Sequence, residues 1–206
     1  MSQHVTIGRT AEPLEPGLPT TRAAEGLPRY RWTRAKLEAA VEAGIFHDDD
    51  RFELIGGEIV PMSPKVIRHE RVKAALVRHW IQRSPDDVVF VPETTLWLSE
   101  TDFSEPDFIA FKTSVSLQAL RPNTALFGVE VAASSLSYDL GANANRYARA
   151  GLTELIVIDA DRLRTTVLTQ PSDDGYQSKR EIDGTTDLKP GGIAKLRVVL
   201  NALTLP

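Results

Sequence analysis

Helical and strand-like spacings of apolar residues divide this chain into predicted elements. Three amphipathic helices are predicted, over 32–44, 65–83 and about 139–150. The first has Thr33 in the N-cap position and ends at Gly44. Pro85 stops the second helix and Gly151 stops the third. The chain is therefore expected to contain three helices separated by non-helical segments.

Strand candidates fill the segments between these helices. RFELIGGEIVPMSP (51–64) alternates on either side of Gly56-Gly57, which predicts a β-hairpin. Further strands are predicted at 87–93, 95–99, 107–111, 126–132 and 153–160, with a second hairpin over 164–182 and a strand-like, turn-rich segment at 187–206. Mixed strands flanked by a few helices indicate an α/β (α+β) domain with one central mixed sheet.

Residues 1–28 differ from the rest of the chain. They are rich in Gly, Pro, Thr and Glu and show no hydrophobic period, so we expect a disordered N-terminal arm. The folded domain is expected over 29–206. A chain of 206 residues, 42% hydrophobic and 25% charged, has the size and composition of a soluble globular protein with one core.

Composition excludes several function classes. The chain has no cysteine, which excludes disulfides, thiolate zinc sites and cysteine nucleophiles. No apolar run approaches the roughly 20 residues of a membrane span, so we expect a cytoplasmic protein with no membrane partner. The glycines of IGGE are followed by neither a helix nor a lysine, and therefore no nucleotide cofactor is expected.

A basic segment stands out against the formal net charge of −4. The predicted helix 65–83 contains Lys65, Arg68, Arg71, Lys73, Arg78 and Arg83 against a single acid, Glu70. A local surface of this kind can bind nucleic acid even in an acidic protein. It can equally be a solvated helix face, and the sequence leaves both interpretations open.

Two carboxylates lie in apolar, strand-like runs. Asp107 precedes the run FIAF, and Glu130 lies between Val129 and Val131. An ionised group in such a run is costly unless something pairs with it. Two acids on neighbouring strands can bind a hard divalent cation such as Mg²⁺, which prefers oxygen ligands. They can also be a salt-bridge partner and an edge charge.

Several stretches together resemble the Uma2 family of restriction endonucleases, within the PD-(D/E)XK nuclease superfamily. The matching stretches are RFELIGGEIVPMSP, the histidine at 69, EPDFIAF, VEVAASSLSYD, YARAGLTELIVID and the late GY, and the resemblance spans about 29–206. It implies a restriction-endonuclease-like core. It also implies an endonuclease that hydrolyses phosphodiester bonds of DNA with Mg²⁺ or Mn²⁺.

The resemblance assigns roles to particular residues. Asp107 matches the family's PD element and Glu130 its second acid, and together with the carbonyl of Val131 they are expected to hold the metal. Glu53 matches a glutamate near the site, although a salt bridge between hairpin and helix is the alternative. His69 matches a family histidine that could touch substrate phosphate, order Glu53 or simply pack.

The usual catalytic lysine is missing. The superfamily carries it two residues after the second acid, where this chain has Ala132, and many Uma2 relatives carry it on the next helix, where this chain has Asn143. Asp139, Asn143 and Tyr147 are spaced i, i+4, i+8 and are expected to share the helix face turned to Glu130. An amide at this position can hold a water molecule but supplies no positive charge.

Two nearby cations could compensate for the missing lysine. Arg146 is about 100° around the helix from the face of Tyr147 and is expected to point elsewhere. Lys73 lies four residues after His69 on an apolar helix face, where a lysine is unusual. Lys73 is therefore a candidate catalytic residue, unless its side chain extends outward to solvent.

The sequence thus predicts a metal-dependent DNA endonuclease with catalytic candidates Asp107, Glu130, Asn143, Glu53 and Lys73, and with activity weakened at Ala132 and Asn143. Predicted nucleic-acid contacts are His69, Arg68, Arg71 and Tyr147. Cleavage of both strands would suit a homodimer. The alternative is an inactive nuclease fold that binds nucleic acid or protein.

Overall fold

The computed structural model describes residues 30–47 and 49–206, within which Arg31–Pro206 form one compact unit. The predicted arm, 1–28, lies outside the described residues. The helices are α1 (Arg34–Glu42), α2 (Ile67–Ile81), α3 (Leu136–Tyr138) and α4 (Ala144–Arg149), and a π-helical turn, Asp139–Asn143, joins the last two. The strands are β1 (Phe52–Ile55), β2 (Glu58–Pro61), β3 (Val88–Pro92), β4 (Leu96–Ser99), β5 (Asp102–Ser104), β6 (Phe108–Lys112), β7 (Ala125–Ala132), β8 (Glu154–Asp159), β9 (Arg164–Ser172) and β10 (Gly175–Ile182).

The local turn signals have the predicted effects. Thr33 caps α1, since its hydroxyl accepts a hydrogen bond from the backbone N–H of Lys36 at 3.5 Å. The hairpin β1–β2 turns at Gly56 and Gly57, whose φ angles of 58° and 86° are accessible to glycine at little cost. A Cβ at Gly57 would also lie 2.8 Å from the Cβ of Arg31, so this turn has no room for a side chain.

The main sheet has six strands in the order β10-β9-β8-β7-β6-β3. Only β7 and β8 are paired in parallel; the other neighbours are antiparallel. A parallel pair requires a crossover, and here it is the segment that contains α3, the π turn and α4. The predicted central mixed sheet is therefore present, with β7 at its centre and seven of its eight residues buried.

Helices cover both faces of the main sheet. On one face α2 packs Val72, Leu76 and Trp80 against apolar side chains of β6, β7 and β8. On the other face α4 contributes Ala144 and Tyr147 to a second apolar cluster. Because side chains alternate along a strand, the two faces of β6 and β7 belong to different clusters. This division decides which helix can reach which functional side chain.

A second sheet corrects the prediction of one central sheet. Its four strands run β2-β1-β5-β4, all antiparallel, and it packs on α1 through Leu37, Leu54 and Phe103. The strand β5 was not predicted, because three residues are too few to show an alternating pattern. The strand β5 nevertheless joins the predicted hairpin to β4 in one sheet.

The segment 187–206 is turn-rich, as predicted, but it contains only one isolated β-bridge, Leu188 to Val198. Pro190 starts a short 3₁₀ turn, and Gly191 and Gly192 have φ angles of 57° and 68°, so a continuous strand cannot form. The segment packs on α2, where Leu196 accepts a hydrogen bond from the Trp80 indole at 2.9 Å. Within the described residues, no helix is long and apolar enough to cross a lipid bilayer.

Candidate functional site

Asp107 and Glu130 are neighbours across two strands. Phe108 pairs with Val129 in the antiparallel β6–β7 ladder, so the next position in register places Asp107 opposite Glu130. Both residues are buried, with exposures of 4% and 9%. Two like charges this close, out of water, are unfavourable unless a positive group or a proton lies between them.

Asp107 is held mainly through one oxygen. Its Oδ2 accepts the backbone N–H of Val131 at 2.8 Å and lies 2.9 Å from Nε2 of His69. Its Oδ1 has a more distant neighbour, the Lys65 ammonium at 3.4 Å. Burial alone would raise the pKa of Asp107, but the hydrogen bond and charge of His69 outweigh it and hold the pKa below its usual value.

Glu130 is also held mainly through one oxygen. Its Oε1 accepts the Tyr147 hydroxyl at 2.8 Å and the Asn143 amide at 3.2 Å. Its Oε2 lies 3.5 Å from the backbone nitrogen of Asp107. Burial, with the charges of Asp107 and Asp139, raises the pKa of Glu130 well above its usual value. Within the described residues, the groups that donate hydrogen bonds to Glu130 are all neutral.

Oδ1 of Asp107 and Oε2 of Glu130, whose neighbours are 3.4 and 3.5 Å away, are oxygens of the kind that a hard cation prefers. Asp107, Glu130 and Val131 all line one cavity of about 260 Å³. Mg²⁺ is commonly bound by one or two carboxylates and keeps several waters. No group of three or more His, Asp or Glu residues in the described part of the chain is arranged around a common metal position. Two carboxylates and one carbonyl are a small donor set, so a cation held by them would keep several water ligands.

The helical segment after β7 has the predicted orientation. Asn143 and Tyr147 both bind Glu130, and Asp139 accepts the Asn143 amide at 3.3 Å and the Ser135 hydroxyl at 2.6 Å. The predicted shared face is therefore confirmed. A π turn at Asp139–Asn143 interrupts the α-helix here. Such turns are rare and often lie at functional sites.

Arg146 is directed away from Glu130, as expected, and toward the small sheet. Its guanidinium donates to Glu53 at 3.0 Å, to Asp102 at 2.7 Å and to the Asn143 side-chain oxygen at 3.0 Å. Its side chain is long enough to cross from α4 to the small sheet, and helical spacing did not predict the partners that it meets there. Burial would lower the pKa of Arg146, but the charge of Glu53 and the hydrogen bond to Asp102 outweigh it and raise the pKa.

Glu53 has both of the predicted properties. It lines the cavity with Asp107 and Glu130, and it forms the alternative salt bridge, here with Arg146 of α4. Its other oxygen accepts the Ser104 hydroxyl of β5. Both carboxylate oxygens of Glu53 are thus occupied by partners of the protein itself. His69, by contrast, contacts Asp107 and not Glu53.

Lys73 does not extend to solvent. Its side chain is 11% exposed, and its ammonium binds Glu93 at 2.8 Å and Glu70 at 3.1 Å. Burial alone would lower the pKa of Lys73, but these two hydrogen bonds outweigh it and raise the pKa. Lys73 therefore lies behind the cavity and is not among its lining residues.

The predicted nucleic-acid contacts fall in three different environments. Tyr147 needs a correction, because its ring is completely buried and cannot touch a nucleic acid. Arg68 is paired with exposed Asp161 at 2.6 Å, and Arg71 donates to the carbonyl of Pro206 at 2.5 Å. Both arginines are exposed and lie outside the cavity, so their role in binding stays a prediction.

Three residues near the acids were missed in the sequence. Lys65 contacts Asp107, Glu93 binds Lys65 and Lys73, and Ser104 binds Glu53 and lies 3.0 Å from the Tyr147 hydroxyl. The spacing of His69 and Lys73, four residues apart, was a usable signal for one helix face, whereas Lys65 lies before the start of α2. Glu93 carried no such signal, because its position depends on the pairing of Pro92 with Phe108.

Comparison with known proteins assigns the chain to a family. The Uma2 family, described as "Putative restriction endonuclease", matches residues 36–201. The chain belongs to the Uma2 family. This assignment confirms the predicted resemblance and supports a nuclease function. Among functionally curated proteins, none matches the chain.

A solved structure has a similar fold. It is the crystal structure of a protein from Anabaena variabilis, described as a putative nuclease of the family DUF820, with a TM-score of 0.58 and 14% identity. The match covers 78% of this chain and 93% of the other. At this identity the likeness concerns the fold, and it supports the predicted restriction-endonuclease-like core of a central mixed sheet flanked by helices.

Proposed function

We propose that this Uma2 protein is a metal-dependent DNA endonuclease that hydrolyses phosphodiester bonds at the cavity lined by Asp107 and Glu130. One observation carries the proposal. Each acid has one oxygen held by hydrogen bonds of 2.8 to 3.2 Å and a second oxygen whose neighbours are 3.4 to 3.5 Å away. An oxygen whose neighbours are this distant can take a metal ion in their place, and Mg²⁺ is commonly bound by one or two carboxylates.

Mg²⁺ or Mn²⁺ bound at these acids and at the Val131 carbonyl would activate water and stabilise charge on the phosphate. In hydrolysis, the water oxygen forms a bond to phosphorus, the bond from phosphorus to one sugar oxygen breaks, and that sugar oxygen takes up a proton. The chain's own residues orient the acids. His69 and the N–H of Val131 fix Asp107, while Asn143 and Tyr147 fix Glu130.

The proposed activity is weak for a physical reason. Ala132 has no polar group, and the amide of Asn143 carries no charge where relatives carry a lysine. A charged donor aimed at the transition state typically contributes about 10²–10³ in rate. The second candidate function is an inactive nuclease fold that binds nucleic acid. It rests on the same absence of a lysine at Ala132 and Asn143.

Supercoiled plasmid incubated with purified protein tests the proposal. In Mg²⁺ or Mn²⁺ the wild type should nick or linearise the plasmid, and chelation should stop it. Asp107→Asn and Glu130→Gln should each lose cleavage, because they keep the shape of the acids but remove a charge. Glu181→Gln, on the outer strand β10 and paired with exposed Lys179, is the matched control and should cleave normally.

The outcome also separates the two candidate functions. Binding of a DNA duplex with no cleavage in either metal would favour the inactive binding module. Linear product formed in a single encounter would suit two sites in a homodimer, which sedimentation can test directly.

A further inference from the structure

We propose that Lys65 is the cationic catalytic residue of this site and supplies at Asp107 the positive charge that Ala132 and Asn143 do not. The inference rests on the proposed function and names a residue of its active site. Lys65 lies at the start of the basic segment, just before α2, and its side chain is 24% exposed and lines the cavity. A cation there can meet both an acid of the site and a substrate.

The contact with Asp107 is the first observation. The Lys65 ammonium lies 3.4 Å from Oδ1 of Asp107, which is the oxygen that neither His69 nor the N–H of Val131 occupies. The lysine therefore approaches the side of the carboxylate that remains free for chemistry. It does so from the α2 side, whereas Asn143 reaches Glu130 from α4 on the other side.

The other cations near the site have different partners. Lys73 is engaged by Glu93 and Glu70, and it does not line the cavity. Arg146 donates to Glu53, to Asp102 and to the carbonyl of Phe103. Within residues 30–47 and 49–206, the ion pairs that reach Asp107 come from Lys65 and His69. His69 binds the oxygen already fixed by Val131, which leaves Lys65 as the cation at Oδ1 of Asp107.

Glu93 and Lys73 hold Lys65 beside Asp107. Glu93 binds the ammonium groups of both Lys65 and Lys73, so the buried Lys73 fixes the carboxylate that in turn fixes Lys65. Glu93 follows the last residue of β3 with a φ of 47°, a left-handed conformation that is uncommon for a non-glycine residue. Strained backbone of this kind is often retained at functional sites. Glu93 and Lys73 are thus positioning residues.

The proposed role is electrostatic. The Lys65 ammonium would donate a hydrogen bond to a non-bridging phosphate oxygen and stabilise the charge that develops during hydrolysis. It would remain protonated throughout, and no bond to Lys65 forms or breaks. Because the ammonium occupies Oδ1 of Asp107 in the free protein, a cation bound at that oxygen would release Lys65 toward the substrate side of the cavity.

Lys65→Gln tests the proposal, with Lys65→Arg as the charge-retaining variant. Lys179→Gln is the matched control, since Lys179 pairs with Glu181 on the outer strand β10. Plasmid cleavage in saturating Mn²⁺ should fall by about 10²–10³-fold in Lys65→Gln, partly recover in Lys65→Arg and stay unchanged in the control. Mn²⁺ binding, measured by calorimetry, should be equal to wild type or tighter in Lys65→Gln, because a competing cation is gone.

Two results would overturn the proposal. One is cleavage by Lys65→Gln within about threefold of wild type. The other is a loss of cleavage that is matched by weaker Mn²⁺ binding and not reversed in Lys65→Arg, because Lys65 would then only support the fold of the acids.

If the wild type cleaves no DNA, the proposed endonuclease function is wrong, and a separate measurement then tests Lys65. Binding of a labelled duplex in Ca²⁺ is then compared between variants. Lys65→Gln should weaken binding more than Lys179→Gln and lower the slope against log salt by about 1. Such a result would keep Lys65 as the phosphate contact of an inactive site, whereas equal binding would remove it altogether.

Discussion

The side-chain amide of Asn143 donates to Oε1 of Glu130 at 3.2 Å, at the helix position where the resemblance to the Uma2 family implies a lysine. The oxygen of the same amide accepts from the Arg146 guanidinium at 3.0 Å. The positive charge of Arg146 therefore reaches Glu130 only through a neutral group. This arrangement holds the acid in place and leaves its charge largely uncompensated.

Asn143→Lys should raise Mg²⁺-dependent plasmid cleavage. An ammonium at this position would lie beside Glu130 and Asp139, both buried acids whose pKa values are raised by burial and by neighbouring negative charges. We expect a gain of about tenfold or more, up to the 10²–10³ range of a preorganised charge. Initial cleavage rates measured at saturating metal are the readout.

Two double variants control this prediction. Asn143→Lys combined with Asp107→Ala should remain inactive, because the added charge cannot replace a metal ligand. Asn143→Lys combined with Lys65→Gln should recover much of the cleavage that Lys65→Gln removes if both lysines serve the same purpose. A cleavage rate for Asn143→Lys at or below wild type would contradict the expectation that missing charge limits the reaction.

Sequence reasoning located the acids and the helix face because both follow from local periodicity. Asp107 and Glu130 lie at strand positions, and the spacing of Asn143 and Tyr147 fixes which side of α4 they occupy. Neither conclusion needs to know how distant segments pack. The resemblance to the family then assigned the two acids to one expected metal site.

The partners of Lys65 and Arg146 could not be predicted in the same way. Lys65 meets Glu93, 28 residues away, only because β3 pairs with β6 and ends beside Asp107. Arg146 reaches Glu53 across 93 residues and depends on the unpredicted strand β5. Long cationic side chains can bridge elements in several directions, so helical spacing does not determine their contacts.

Arg146→Met should destabilise the fold strongly. The side chains of Arg146 and Glu53 are only 9% and 14% exposed, and removal of the guanidinium leaves Glu53 and Asp102 as largely buried acids without this cationic partner. Breaking a buried pair in this way typically costs about 3–5 kcal/mol. Urea unfolding at neutral pH measures the free-energy difference.

The exposed pair Lys179 and Glu181 is the control for Arg146. Lys179→Gln should change stability by less than about 1 kcal/mol. Arg146→Met combined with Glu53→Gln and Asp102→Asn should be more stable than Arg146→Met alone, because the unpaired charges are then gone. Equal stabilities of wild type and Arg146→Met would show that the pair contributes nothing net.

Glu93 should make a stabilising contribution that depends on pH. Burial alone would raise its pKa, but hydrogen bonds and charges from Lys65 and Lys73 lower the pKa from 4.5 to about 2. A carboxyl whose folded pKa is depressed stabilises the protein above its unfolded pKa, and the stabilisation disappears as the pH falls toward the folded pKa. The difference in stability between wild type and Glu93→Gln should therefore shrink between about pH 4.5 and about pH 2.

Thermal or urea unfolding of both proteins across that range measures the effect. Glu181→Gln, which removes an exposed carboxylate, should show a small difference that varies little with pH. A difference for Glu93→Gln that is constant from neutral pH to the acid limit would mean that the Lys65–Glu93–Lys73 contacts do not bind the charged form of Glu93 preferentially.

Arg68 and Arg71 should contribute to the salt dependence of DNA binding. Both side chains are exposed on α2, where Arg68 precedes His69 in the sequence and Arg71 follows it. His69 itself contacts Asp107. A duplex with one phosphate in the cavity would place neighbouring phosphates along this helix. Removing one arginine that binds a phosphate should lower the slope of log affinity against log salt by about 0.9, so Arg68→Gln with Arg71→Gln should lower it by about 2.

Lys179→Gln with Arg180→Gln on β10 is the control, because it removes the same charge far from the cavity and should leave the slope unchanged. If both double variants lower the slope equally, the DNA does not follow α2.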